Sequence, residues 1–571
     1  ADVGREKISK HPWSMGGGGA ADLRERLEQG METKLHSVIS ESGFFGISAA
    51  DDIYLLPPTT PKTFGFDLAF VRPTVSGDEV RDWSLTPQEC IIFPYGTKGL
   101  ADLICPALMQ FLWPFRNFLW SRTTFSRQTY KEEGRTWWEW HQIALRRIEN
   151  PLTITLGEVT THNHFVLDRG GKVFNRTAPV IKLPASATVD DHLGLLGLLN
   201  SSTSCFWLKQ VCFPKGGDHM GTEGARVRRS HWDERFAYDG TKVGQFPVAA
   251  DRPVDLARRL DGLARERATW LPAALFSRGL PSRAELDAAR REAERLRHLM
   301  IAWQEELDWR VYRIYGVLDE APCYSGDPPP LRFGERAFEI LLARQCAVGA
   351  TSTTWFERHG AQPLTVLPSH WPADYRALVE RRMAAIQHFR DLALIERPEC
   401  KRRWAGTPWE TLERAALEDW LLDRLEDADL WPRGDQATPS LRSARELVDA
   451  LSGDEDFRRA LDLYAGSGSD AHGTLVALVR QASVPFLDAL RYSDSGLRKR
   501  AVWRETWALQ RREDAIDAEV ARQMAGQPDA AIQGEQARRK ATEVGAIPVP
   551  PKYRQEDFRD GAYWKLRGAL D

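Results

Sequence analysis

Near residue 251 the chain changes texture, and that change limits the folds open to it. Residues 90–250 carry short apolar runs rich in aromatic and β-branched side chains. Beyond 251 the apolar residues recur at the three-to-four-residue spacing of amphipathic helices, between faces dense in Arg, Glu and Asp. A chain of 571 residues built this way is predicted to be α+β: a mixed α/β region followed by a mostly α-helical C-terminal region. The boundaries fall at 1–89, a connector; 90–250, the mixed region; 251–325, a helical spacer; and 326–571, a helical C-terminal domain with an extended tail.

Local patterns set the elements. Ala21–Gln29 is predicted helical and Asp52–Leu56 strand-like. Cys90–Tyr95 reads as a buried strand, and Leu152–Leu156 alternates as strands do. Phe165–Leu167 and Lys172–Phe174 flank Gly170-Gly171 and predict a hairpin. Pro179–Leu183 is a further strand, and Asp190–Gln210 one helix with Asp190 or Asp191 near its N-cap. Asp255–Trp270 and Ser282–Tyr315 are long amphipathic helices, the second opened by a capping box, Ser282 with Glu285 three residues on. Gly326–Pro330 is a linker, Ala515–Lys540 a solvated helix, and the proline-rich Ile547–Tyr553 an extended tail.

Several chemistries are excluded or weakened. The seven cysteines are scattered, with no C-x-x-C pair, which predicts reduced, mostly buried thiols and a cytoplasmic protein. No apolar run reaches the ~18–20 residues of a membrane-spanning helix. The chain opens Ala1-Asp2-Val3-Gly4-Arg5, without an initiator Met or a signal-peptide pattern, so it is expected to begin inside a longer protein. Asp462-Leu463-Tyr464-Ala465-Gly466-Ser467-Gly468 resembles a cofactor loop of methyltransferases, but an amphipathic helical run precedes it where that loop requires a buried strand. Asp327-Pro328-Pro329-Pro330 lacks the aromatic residue that stacks on a flipped base, which makes it a proline linker. Gly16–Gly19 is no phosphate loop, since no Gly-Lys-Ser/Thr follows. His162 and His164 would share one face of a strand; hydrogen-bonded structural histidines are expected there, with a metal pair as the alternative.

The net charge is −3, so a nucleic-acid surface has to be a local patch. One candidate patch is Lys98 in a glycine-flanked turn, with Arg122, Arg127 and Lys131 beside Trp137, Trp138 and Trp140. The other is Lys215 and the glycine-rich loop that ends in Arg226, Arg228 and Arg229. Such cations neutralise phosphates, and Arg can read guanine edges. At least two of the three tryptophans are expected in the core.

The succession from Ile91 to Lys209 resembles the target-recognition region of adenine-specific DNA methyltransferases related to type IIG restriction enzymes. It runs through Phe93-Pro94-Tyr95, Thr136-Trp137-Trp138-Glu139-Trp140, Phe165–Gly171 and Leu198-Leu199-Asn200-Ser201. Thr161–Phe174, Ala178–Pro184, Asp308–Gly316, Ile547–Tyr553 and Tyr563–Gly568 resemble more closely the PglX methyltransferases of type 2 BREX phage-defence systems. The resemblance implies that 90–250 is a DNA-reading domain and that the whole protein methylates adenine at N6 to mark self DNA. It implies S-adenosylmethionine as cofactor, bound by a catalytic domain upstream of residue 1 that carries the cofactor loop and an Asn-Pro-Pro-Tyr motif; this chain itself is expected to hold no catalytic, cofactor or metal site. It implies double-stranded DNA, other BREX proteins and phage-encoded inhibitors as partners, and no membrane. Two readings stay open beside it: a helical scaffold of the defence complex that reads no sequence, and a restriction–modification specificity subunit.

Overall fold

The computed structural model describes residues 19–58, 60–96, 99–149, 151–215, 231–431, 440, 442–481 and 492–559. Their fold is α+β, with several small sheets and a helical C-terminal region, as expected. The described residues form two compact units, each assembled from separated stretches of chain. One takes in Ala1–Gly46, Pro73–Gln88 and Ile143–Glu413; the other Ile47–Arg72, Glu89–Gln142 and Arg414–Asp571.

The first unit is organised by an antiparallel sheet in the order Glu41–Gly43, Val180–Lys182, Thr153–Leu156, Phe165–Asp168. Every residue of Val180–Lys182, Thr153–Leu156 and Phe165–Asp168 is buried, which fits their β-branched and aromatic composition. Asp168 ends one strand and a turn with Gly170 and Gly171 at positive φ follows. The expected hairpin does not form: Val173–Phe174 pairs instead, in parallel, with Thr74 and Val75. The glycine turn therefore hands the chain from one sheet to another.

The single helix expected over Asp190–Gln210 is two helices, Val189–Leu199 and Ser202–Val211. Thr188 caps the first, with Asp191 completing a capping box. The break has a polar cause. Asn200 turns its amide onto the strand, accepting from the Phe165 N–H at 3.0 Å and donating to the Phe165 carbonyl at 2.8 Å, while Ser201 caps the second helix. Gly194 and Gly197 let the helix Val254–Thr269 approach closely. A Cβ at Gly197 would lie 2.9 Å from the Pro253 ring and 3.2 Å from Ala257.

The helix Arg283–Ile314 is 32 residues long, about 48 Å at the α-helical rise. The Ser282–Glu285 capping box opens it as the sequence predicts. Between Met300 and Tyr312 all but Trp303 and Arg310 are buried, including the three acidic side chains described below.

In the second unit Leu55–Leu56 pairs antiparallel with Glu89–Ile92. Asp52–Leu56, expected to be strand-like, is so only at Leu55–Leu56; Asp51–Tyr54 is a helical turn, in which the Ala50 carbonyl accepts from the Ile53 and Tyr54 N–H groups. Pro106–Leu112 and Arg116–Trp120 are short helices joined by a tight turn at Pro114. They pack on the helix Asp494–Gln523, where Arg116 reaches Asp514 at 2.6 Å and Trp507 donates to the Pro114 carbonyl at 2.9 Å. The solvated helix expected over Ala515–Lys540 is two segments, because the chain turns after Gln523 and a second helix, Asp529–Glu543, follows. Ion pairs Arg539–Glu519 and Lys540–Asp517 hold the two together. The proline tail is extended as expected, and Trp503 donates to the Pro551 carbonyl at 2.9 Å.

Four of the seven cysteines are buried, Cys105 and Cys346 half-buried and Cys323 exposed; all are free thiols. No described helix is long and apolar enough to cross a membrane.

Candidate nucleic-acid interface

The aromatic segment from Trp120 to Gln142 lies in the second unit and is built around Arg122. That residue is a correction to the predicted surface. It is only 7% exposed, and its guanidinium donates to four carbonyls: Leu119 at 2.9 Å, Ser48 at 2.6 Å, and Trp137 and Glu139 at 2.8 Å each. A buried cation with four of its five N–H donors spent on backbone carbonyls holds the segment together and does not face a phosphate. The Tyr130 ring lies between Arg122 and Arg135, 4.3 Å from each guanidinium carbon. Trp140 closes the segment, donating to the Ile92 carbonyl at 3.1 Å. Trp137 and Trp140 are buried and Trp138 half-buried, so two of the three are core as expected.

Arg127 and Lys131 are exposed and make no ion pair among the described residues. Lys131 lies over the Trp120 ring at 5.4 Å. Arg127 sits on a turn closed by a bridge between Thr123 and Thr129, and Lys131 follows two residues after Thr129. Lys215 belongs to the first unit and is exposed at the end of a short strand, where its N–H donates to the Arg235 carbonyl at 2.7 Å. Lys98, Arg226, Arg228 and Arg229 lie outside the described residues, as do Gly16–Gly18 and Tyr563–Gly568.

His162 and His164 are buried, and no group of described side chains could hold a metal ion. His164 Nδ1 faces the Asp82 N–H at 3.3 Å and the Arg402 guanidinium at 2.8 Å, so it accepts and the ring is neutral. Burial, then the neighbouring cations, push both histidines well below the usual imidazole range. Protonation is thereby reserved for the unfolded chain, so stability is lost as pH falls through the unfolded pKa of ~6.5. Between pH 7.5 and 5.5 the native protein should lose about 1.4 kcal/mol more than His162→Gln, measured by urea unfolding. Equal losses would show that His162 is protonated in the folded state.

The first unit also holds a buried ionic knot to which none of the patterns above pointed. Glu305, Glu306 and Asp308 project inward from the long helix and meet Lys401, Arg402, Arg336, Arg382, Glu339 and Glu396, none of them more than 5% exposed. Lys401 Nζ lies 2.9 Å from Glu305, 2.9 Å from Asp308 and 3.0 Å from Glu396. Arg336 makes a two-pronged pair with Glu339 at 2.9 and 2.8 Å, and Arg382 meets Glu306 at 2.7 Å. Arg402 reaches His164, the Asn163 carbonyl and Asn200 Oδ1. The knot therefore ties the long helix, the strand-flanking loop and the Asn200 break into one body. Glu305-Glu306-Leu307-Asp308 on an otherwise apolar helical face, with Lys401-Arg402-Arg403 downstream, is the signal that could have found it.

Residues 462–469 were tested as a cofactor cradle and do not fit. They join the helix Glu455–Ala465 to the helix Ala471–Gln481, no strand precedes them, and Gly466 at φ 90° caps the first helix.

Across the known proteins, one curated sequence matches the whole chain: the adenine-specific methyltransferase PglX of Streptomyces coelicolor, 44% identical over 580 aligned residues, covering 100% of this chain. This chain is similar to PglX along its whole length. It spans about half of PglX, 46% of that protein's length. A domain of unknown function (DUF7008) matches residues 300–571, so it begins within the long helix that carries the knot. Among solved structures, the Type IIL restriction–modification enzyme MmeI in complex with DNA is similar at TM-score 0.29 and 14% identity, over 50% of this chain and 34% of that one. That likeness is too slight to carry an argument, whereas the PglX match is continuous from end to end.

Proposed function

We propose that the chain is the DNA-recognition and C-terminal part of an N6-adenine DNA methyltransferase of a BREX phage-defence system, which marks self DNA. The observation that carries this reading is the relation to PglX over every residue of the chain, at less than half of PglX's length. S-adenosylmethionine and the reacting adenine are held by the remainder of the full protein. This chain supplies the surface that reads the duplex, and its partners are double-stranded DNA, other BREX proteins and phage-encoded inhibitors. Catalysis on a flipped base needs one pocket, and sequence choice needs a second surface along the duplex, which this division of labour provides.

The cations assigned to DNA contact form two separate patches, Lys98, Arg127 and Lys131 in one, and Lys215, Arg226, Arg228 and Arg229 in the other. The test is duplex binding across a salt series. Arg228→Ala and Arg229→Ala should each weaken binding and lower the slope of log K against log salt by about 1 for each lost phosphate contact. Adenine methylation in cells carrying the full-length double variant and the other BREX proteins should fall in parallel. Unchanged binding and methylation would remove that loop from the interface.

A further inference from the structure

At the tip of the turn between Thr123 and Thr129 stands Phe125, 79% exposed, the most exposed phenylalanine among the described residues. Its surroundings are ordered. Thr124 donates its N–H to the Gln128 carbonyl at 2.9 Å, and Arg127, at φ 66°, donates to the Thr124 carbonyl at 3.1 Å. The nearby carboxylates are folded back onto the turn: Glu133 accepts from the Thr124 and Ser126 hydroxyls, and Glu132 accepts from the Thr129 N–H at 2.7 Å and its hydroxyl at 2.8 Å. Arg127 and Lys131 are exposed, Lys131 over the Trp120 ring, and neither pairs with a carboxylate among the described residues. The Phe125 ring is backed on one side by the His141 ring, centroids 4.8 Å apart, and is otherwise open. An apolar ring held rigidly in water costs free energy with no return in the folded monomer. Flanked by the exposed cations Arg127 and Lys131, with Glu132 and Glu133 charged but held by the loop's own hydroxyl and N–H donors, it matches a surface of negative charge with an apolar interior within reach. A stacked base step beneath its phosphates is such a surface.

We infer that Phe125 is a wedge that inserts between adjacent base pairs of duplex DNA while Arg127 and Lys131 hold the flanking phosphates. This rests on the DNA-reading proposal above and adds a residue and a mode of contact to it. Partial unstacking by a wedge unwinds the duplex, so the effect can be read without knowing the recognition sequence. Closed circular plasmid is relaxed by a topoisomerase in the presence of the protein, then stripped of protein and resolved by linking number. The native chain should leave a reduced linking number. Phe125→Ala should lose that shift at matched DNA occupancy, Phe125→Trp should keep it, and all three proteins should unfold at the same temperature. Arg127→Ala should instead weaken binding and lower its salt slope. A shift retained in full by Phe125→Ala, or a native protein that binds without any shift, overturns the wedge and leaves the DNA-reading proposal standing. A native chain that binds no duplex at low salt overturns both.

Discussion

Lys401→Met is expected to lower the unfolding free energy by about 3–5 kcal/mol, the cost of breaking a buried charge cluster from one side. The substitution keeps most of the side-chain volume and removes only the ammonium. Glu305, Asp308 and Glu396 then face one another with no cation inside 3.0 Å, where Lys401 had met all three. Burial already raises the Glu305 carboxyl, with Glu396 and Asp308 adding to the rise and Lys401 opposing it. Without Lys401 the folded state takes up protons more readily than the unfolded chain. The deficit should therefore shrink as pH falls from 8 towards 5.5, because the carboxyl that protonates removes the repulsion. The histidine effect is common to both proteins and cancels in their difference. Urea unfolding of native protein and variant at the two pH values gives the answer. A deficit below about 1 kcal/mol at pH 8, or one that grows on acidification, would mean that the carboxylates find other partners or water.

Arg122→Ala should cost about 3–5 kcal/mol and open the segment from Trp120 to Gln142, since four buried carbonyls lose their donor together. Arg122→Lys should rescue little, because one ammonium cannot span positions that a planar guanidinium fork reaches at once. Hydrogen exchange across 120–142 and thermal unfolding measure both. Arg127→Ala and Lys131→Ala, on exposed side chains a few residues away, should change stability by no more than about 0.5 kcal/mol. If Arg122→Ala proved as mild as those two, the carbonyl cradle would not be what orders the segment. The contrast matters for function, since lost DNA binding in Arg122→Ala would report unfolding, and in Arg127→Ala it would report a lost contact.

Much of the fold was readable because its signals are local. The Ser282–Glu285 capping box, the buried strand Thr153–Leu156, the long amphipathic helices and the extended proline tail all follow from neighbouring residues, and all are present. The departures come from distant partners. Asp51–Tyr54 is too short for periodicity to separate a helical turn from a strand. Gly170-Gly171 looked like a hairpin turn, but Val173–Phe174 finds Thr74 and Val75 about a hundred residues away. The polar run Asn200–Ser204 interrupts the leucines with cap-forming residues, but the partner that holds the Asn200 amide, the strand at Phe165, lies 35 residues away. The same holds for the candidate surface. Arg122, Arg127 and Lys131 look alike as letters between aromatics. The first is consumed by carbonyls at Ser48, Trp137 and Glu139, whereas the other two remain in solvent. Phe125 drew no notice in sequence because a single apolar residue in the polar run Ser121–Thr129 sets no periodicity that would place it.

The central claim is that this chain reads DNA sequence, and binding selection from a random duplex pool tests it most directly. The protein is mixed with the pool across a salt series, and the bound fraction is sequenced. The account predicts enrichment of one short motif, with affinity falling linearly in log K against log salt. Duplex binding with no enriched motif at any salt, or no duplex binding at all, would contradict it and favour a helical scaffold that assembles the defence complex without reading the sequence.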